Sequence, residues 1–420
     1  MEQWPALAKS VAECWTSKMV FSQPNKKQQQ LSPETFEGHA GIYVHIPFCQ
    51  AKCPYCSFVS YQDVDINIKN RYMQALLQQA QDMAKHPWSR TRKFHSLYIG
   101  GGTPSTVDIS LMADFIAACL DAFDFTAVSP KSPEVTMEVN PNTVNKAMLK
   151  RFRQAGVNRL SIGTQSFSDA MLKVIGRKHS AQDCIQAVKF ARDVGFTNIS
   201  LDLMFGLPGQ DRENWQNSLE TAVELAPEHL SVYELAIEQS TPFADQVRLG
   251  RLDLPNEDVS LAMFELAREI LSARGYDQYE ISNYARNGFQ SVHNVNYWEN
   301  GSYVGLGSGA VSCFSGARIQ SEENPARFIT MITGQQKPFK EAEFLPIDAR
   351  FRESVIMGLR MTAGVSISLL EKQYGMTPEK YYGEILELLL NQELLEEKHN
   401  RLRLTKAGML LANRVMAQLV

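Results

Sequence analysis

From Gly41 onward the chain alternates short β-branched or apolar runs with longer stretches of helical period. Runs at 42–46, 96–99, 134–137, 159–162, 198–204 and 229–233 predict six strands. Between them, Leu111, Phe115, Ile116, Cys119, Leu120 and Phe123 fall at i, i+4, i+5, i+8, i+9 and i+12, which is one face of a helix. Similar patterns cover 67–84, 143–155, 180–194 and 212–226. Strands alternating with helices at this spacing predict an α/β fold with a parallel array, curled by right-handed crossovers into an open or closed barrel.

A further helix near 258–274 leads into a Tyr- and Gly-rich stretch, 275–316, that reads as strands and turns, and 325–350 reads as a connector. The last part of the chain is helical around the alternating run Arg401-Leu402-Arg403-Leu404, which suggests a winged-helix-like domain. Residues 1–40 turn polar toward Lys26-Lys27-Gln28-Gln29-Gln30 and read as a short helix with a flexible lead-in. The expected organisation is an N-terminal extension over 1–40, a barrel over 41–275, a linking region over 276–345 and a helical domain over 346–420.

Composition adds exclusions. Forty-two Lys and Arg against 46 Asp and Glu give a net charge of −4, which argues against a globally basic nucleic-acid binder. No apolar run is long enough to span a bilayer, and no secretory or organellar leader is recognisable, so a cytoplasmic location is expected. Seven cysteines do not make a disulfide framework. Four of them are scattered, but Cys49, Cys53 and Cys56 lie within eight residues.

Polar and glycine residues sit where the predicted strands end. Cys49-x3-Cys53-x2-Cys56 follows the first strand and Gly100-Gly101-Gly102-Thr103 the second. Glu138 ends the third, Gln165 the fourth, and Asp202 lies on the fifth. In a parallel β/α array these ends form one rim, where ligands collect. Each residue alone could be a turn glycine or a helix cap; their convergence argues for ligand contacts. Three thiolates at this spacing suit a zinc ion with a fourth ligand from His39 or His45, or an iron–sulfur cluster with one iron left open. Arg177 could be a solvated charge or the partner of a ligand carboxylate.

The Cys-x3-Cys-x2-Cys order after a strand resembles radical S-adenosylmethionine (SAM) proteins. Tyr43-x-His45-Ile46-Pro47-Phe48-Cys49, Gly163-x-Gln165-Ser166-Phe167 and Asp202-Leu203-Met204-x-Gly206-Leu207-Pro208 are similar to the anaerobic coproporphyrinogen dehydrogenase (HemN-like) family, from about residue 41 to the end. That resemblance implies a partial (β/α)6 barrel with a mostly helical C-terminal domain. It implies a [4Fe-4S] cluster on Cys49, Cys53 and Cys56, and SAM held by Tyr43, Tyr55, Gly101, Gly102, Thr103, Glu138, Gln165, Arg177 and Asp202. Two departures separate the chain from the dehydrogenases: Phe58 stands where they carry a further cysteine, and residues 1–41 contain no arginine. His293-Asn294-Val295-Asn296-Tyr297-Trp298 resembles the His-Asn-x-x-Tyr-Trp motif of the HemW branch of heme chaperones. The resemblance then implies heme as cargo, ligated by His293 in a pocket shaped by Asn294, Tyr297 and Trp298. It implies acceptors such as respiratory cytochrome enzymes, a heme-storage protein as a donor, and transient contact with a membrane complex. Homodimerisation stays open. The rivals are oxidative decarboxylation of coproporphyrinogen III and radical-mediated opening of heme.

Overall fold

The computed structural model describes residues 39–126 and 132–420. The helix expected within 1–40 lies outside the described residues. Six parallel strands run β1 (His39–Ile46), β2 (Lys93–Gly101), β3 (Glu134–Val139), β4 (Arg159–Gln165), β5 (Ile199–Phe205) and β6 (His229–Glu234), paired in that order. The crossover helices begin at Asp, Asn or Ser caps, such as Asp108, which accepts from the Ser110 and Leu111 N–H groups. Ser180 and Asp183 form a reciprocal capping box before Ala181–Asp193.

Strand alternation decides the rest. Ile42, Val44, Leu97, Ile99, Val135, Met137, Leu160, Ile162, Leu201 and Leu203 point outward and form one buried core under the helices. The intervening residues point into the lumen, and they are polar. In register, Tyr43 pairs with Tyr98, Tyr98 with Thr136, and Thr136 with Arg159. One level up, Glu138 pairs with Ser161, and Asp202 with Ser231. Both faces of the sheet are buried but only one is apolar, so the strands read as alternating rather than continuously hydrophobic.

The stretch 276–345 belongs to the same sheet. β7 (Asp277–Gln278) and β8 (Asn283–Ala285) extend it antiparallel beyond β6. β9 (Tyr303–Leu306) adds a further parallel strand on the other side of β1, and β10 (Val311–Phe314), β11 (Ala317–Ser321) and β12 (Phe339–Phe344) continue antiparallel to that edge. The result is a sheet of 12 strands among the described residues. The stretch read as a connector therefore contains β12 and a helix, Pro325–Thr333, whose Phe328, Ile329 and Ile332 are buried. The turn-rich reading of 275–316 missed the short helix Val292–Trp298. Seven residues hold too few turns for their period to stand out.

The C-terminal domain packs its own core of Phe351, Val355, Leu370, Leu386, Leu402 and Val415 around the small sheet β13 (Val365–Ser366), β14 (Leu395–Lys398) and β15 (Arg401–Leu404). It is joined to the barrel by Asn300 Nδ2 donating to Ser354 Oγ at 2.8 Å and by Arg360 beside the buried Glu280 carboxylate.

Trp215, fully buried on helix Arg212–Glu224, donates Nε1–H to the Met263 carbonyl at 2.8 Å and so fastens two helices over β5. Trp215→Ala removes a large buried ring and the bond it makes to that carbonyl, which keeps only its partner within its own helix. Urea denaturation should show a loss of about 3–5 kcal/mol; a loss below about 1 kcal/mol would mean the two helices do not depend on this joint.

Candidate cofactor site

The loop after β1 closes on itself by a short parallel ladder of Phe48 and Cys49 with Tyr61 and Gln62. The glycine run after β2 packs directly beneath it: Gly102 N–H donates to Ile46 O at 2.8 Å and Thr103 N–H to Phe48 O at 2.7 Å. A Cβ on Gly102 would stand 2.7 Å from the Phe48 carbonyl, and Gly101, at φ +109°, would drive one into the His45 ring. These glycines are needed for close approach of the loop.

Together the loop and strand ends enclose a cavity of about 340 Å³. Cys49, Cys53, Cys56, Tyr55, Gly101, Gly102, Thr103, Glu138, Gln165, Arg177 and Asp202 all line it. Thr103 Oγ1 lies 3.7 Å from Cys49 Sγ, and Arg177 Nη1 3.8 Å from Cys53 Sγ. Arg177 is held by Asn140 Oδ1 and Gly163 O, each at 2.7 Å, and Asn140 in turn donates to Thr103. Burial pushes the Cys49 and Cys56 thiols up, so a bound cation is needed to hold them as thiolates. Gln165 sits at φ +66° beside a register shift in β4, a strained conformation that aims a non-glycine side chain at the cavity.

The donor set fits a cluster better than a single zinc. Among the described residues no three His, Cys, Asp or Glu side chains are gathered to hold one metal ion. His45, a candidate fourth ligand, bonds Val59 O through Nε2 at 2.7 Å and the Tyr43 hydroxyl through Nδ1 at 2.9 Å. Three separate thiols facing one cavity suit a cluster, in which each cysteine takes its own iron.

Sequence reasoning missed several lining residues: Tyr98, Arg159, Ser161, Ser231 and Tyr233. Alternation from Gln165 back along β4 places Gly163, Ser161 and Arg159 on the same face, and this was the available signal. Arg159 is 1% exposed, and among the described residues its guanidinium makes no hydrogen bond or close ion pair; its Nε is buried without a partner. Its charge acts through space on Glu134 first, and on Glu138 and Asp202 as well. Glu138 accepts from Tyr98 OH at 2.7 Å and Gly101 N–H at 3.1 Å, and Asp202 from Ser161 Oγ at 3.0 Å. Burial pushes Glu138 up to about 7 and Asp202 up to about 6, with those hydrogen bonds and Arg159 pulling back.

The heme motif does not converge. His293 is 1% exposed, with Nδ1 on Ser96 Oγ at 2.9 Å and Nε2 on Tyr297 OH at 3.2 Å. Its ring stacks on Tyr98 at 5.0 Å, and burial lowers its pKa to about 3. Of the four motif residues only Asn294 lines the cavity. Trp298 lies under the Arg360 guanidinium, 4.5 Å away, against the C-terminal domain. Tyr43, expected to touch SAM, is half-buried beside His45, its hydroxyl 2.9 Å from His45 Nδ1, and is not among the residues lining this cavity. The motif builds an anchoring helix whose first N–H groups are taken by Glu134 of β3, at 3.0 Å to Val292 and 3.2 Å to His293.

Both lumen carboxyls titrate above their unfolded values of 4.5 and 3.8. Between about pH 4 and 7 the folded state therefore binds more protons than the unfolded state, and stability falls as pH rises through that window. Glu138→Gln should raise Tm at pH 8 and give a smaller gain at pH 5. Equal shifts at both pH values would refute a buried, high-pKa Glu138.

Residues 43–222 match the model of the radical SAM superfamily, and 345–411 that of the HemN C-terminal domain. The chain is 36% identical over 379 residues to the heme chaperone HemW of Bacillus subtilis, covering 89% of this chain and 97% of that one. It is 33% identical to the mitochondrial radical S-adenosyl methionine domain-containing protein 1 of Bos taurus, over 99% and 96% of the two chains. The coproporphyrinogen III oxidase HemN of Escherichia coli superposes with a TM-score of 0.78 over 98% of both chains at 23% identity, which establishes the shared fold. By sequence identity along nearly its whole length, the chain belongs to the HemW heme-chaperone family of the radical SAM superfamily.

Proposed function

We propose that the protein binds heme and hands it to acceptor proteins, on a scaffold in which Cys49, Cys53 and Cys56 hold a [4Fe-4S] cluster and the rim residues hold SAM. The observation that carries this reading is the extent of the match: 36% identity over 97% of a relative named as a heme chaperone. The cavity supports the cofactor half, because the cluster thiols and the polar strand ends face one enclosed volume. When bound, the cluster and SAM supply one-electron chemistry. The protein's own groups do the binding. Arg177 and Thr103 stabilise the thiolate sulfurs, Glu138 and Asp202 accept hydrogen bonds from the nucleotide cofactor, and Gln165 reaches in from its strained backbone. Heme acceptors of the respiratory cytochrome class, reached by transient contact, complete the proposal. Among the described residues no helix is long and apolar enough to cross a membrane.

His293 is not assigned the iron in this reading. Ligating heme would require it to give up Ser96 and Tyr297 and to leave a fully enclosed position. Phe58, 65% exposed on the cavity wall, stands where the resembling dehydrogenases have a cysteine, and this weighs against porphyrinogen oxidation.

The test is anaerobic reconstitution followed by hemin titration, with parallel assays for coproporphyrinogen turnover and for heme breakdown. Stoichiometric binding, heme recovered intact and no turnover are expected. Turnover without specific heme binding would make the protein a biosynthetic enzyme instead. Cys53→Ser should lose the reconstituted cluster iron while the protein stays soluble; unchanged iron and sulfide content would overturn the cluster assignment.

A further inference from the structure

If heme is the cargo, the cofactor cavity is a poor place for it, since about 340 Å³ must already take a cluster and a nucleotide. A larger cavity of about 770 Å³ lies outside the lumen, between helix Ile66–Ala84, strands β9–β12 and helix Pro325–Thr333. We propose that this cavity is the porphyrin site, a deduction that rests on the heme reading above.

Porphyrin chemistry matches the lining. The macrocycle is a flat apolar plate edged by two carboxylates, and its volume falls in the range of ordinary cofactor pockets. Phe314 and Ile329 supply apolar wall, and Phe314 is itself braced by the stacked Trp88 ring 4.5 Å away. Arg71 on the helix and Lys337 on the loop before β12 supply two cations against one carboxylate, Asp82. That balance suits a dianionic ligand and disfavours cationic SAM. Met83 and His86 lie one turn apart on the lining face of the helix and its end, a thioether and an imidazole of the kinds that ligate heme iron. The His86 Nδ1 accepts from Trp88 N–H at 3.3 Å, a bond that iron ligation through Nε2 would disturb, because the ring proton would have to move to Nδ1. Met83 Sδ is therefore the ligand offered without that exchange.

The experiment titrates the full-length, reconstituted protein with hemin and, separately, with metal-free protoporphyrin IX. Four variants are compared with wild type: Gln78→Trp, which fills the cavity from its exposed rim; the double reversal Arg71→Glu/Lys337→Glu; Met83→Leu; and His293→Ala. The first two should weaken both ligands about tenfold or more. Met83→Leu should weaken hemin and shift its Soret band while leaving metal-free porphyrin unchanged. His293→Ala should retain stoichiometric binding. If hemin binds wild type but neither Gln78→Trp nor the charge reversal weakens it in folded protein, the cavity is not the site and the heme reading stands. Loss of binding confined to His293→Ala would likewise overturn the cavity assignment. If hemin does not bind wild type at all, the heme reading itself falls.

Discussion

Glu138 and Asp202 place two carboxyl groups inside the lumen of a sheet whose outer face is sealed by helices, and much of the site is arranged around that burial. Desolvation drives both toward the neutral form, and they also repel each other. Tyr98, the Gly101 amide and Ser161 provide direct hydrogen bonds, and the unbonded Arg159 guanidinium provides charge without contact. A buried cation and buried acids that do not touch are costly when empty. They are also preorganised to receive a polar ligand, because their partners are already fixed by the strands.

Strand register transmits this arrangement to the rest of the molecule. Glu134 lies two pairs below Glu138 on the same face of β3, and it caps the helix that carries the heme-like motif. That helix sends Asn294 to the cofactor cavity, His293 to the aromatic stack with Tyr98, and Trp298 to Arg360 of the C-terminal domain. Three residues of one short helix thus join three parts of the fold. A motif of this kind can be essential without any member of it touching a ligand.

The two cavities divide along the sheet. The lumen side is polar and ringed by thiols and carboxyls, as a cluster and a charged nucleotide require. The other is bounded by the outer face of β9–β12 and two helices, a mixed wall in which Phe314 and Ile329 stand beside the cationic Arg71 and Lys337. Of the strands that make it, β9 and β10 fall in the stretch read as strands and turns, whereas β12 lies in the stretch read as a connector, since a short edge strand after a tight turn carries little periodic signal.

The sequence by itself determined the six-strand parallel array, the three-cysteine loop and the convergence of Gly101, Gly102, Thr103, Glu138, Gln165 and Asp202 on one rim. Those features follow from local alternation and from the rule that parallel strand ends share a face. Only the tertiary structure decided which side chains are occupied by their neighbours. Tyr43, His45 and His293 have the right chemistry on paper, but each is already hydrogen-bonded within the lumen. Arg159, unremarked in sequence, is fully buried with its Nε left without a partner among the described residues. Hydrogen-bond saturation depends on contacts between residues far apart in the chain, 197 positions for Ser96 with His293, and no local pattern encodes it.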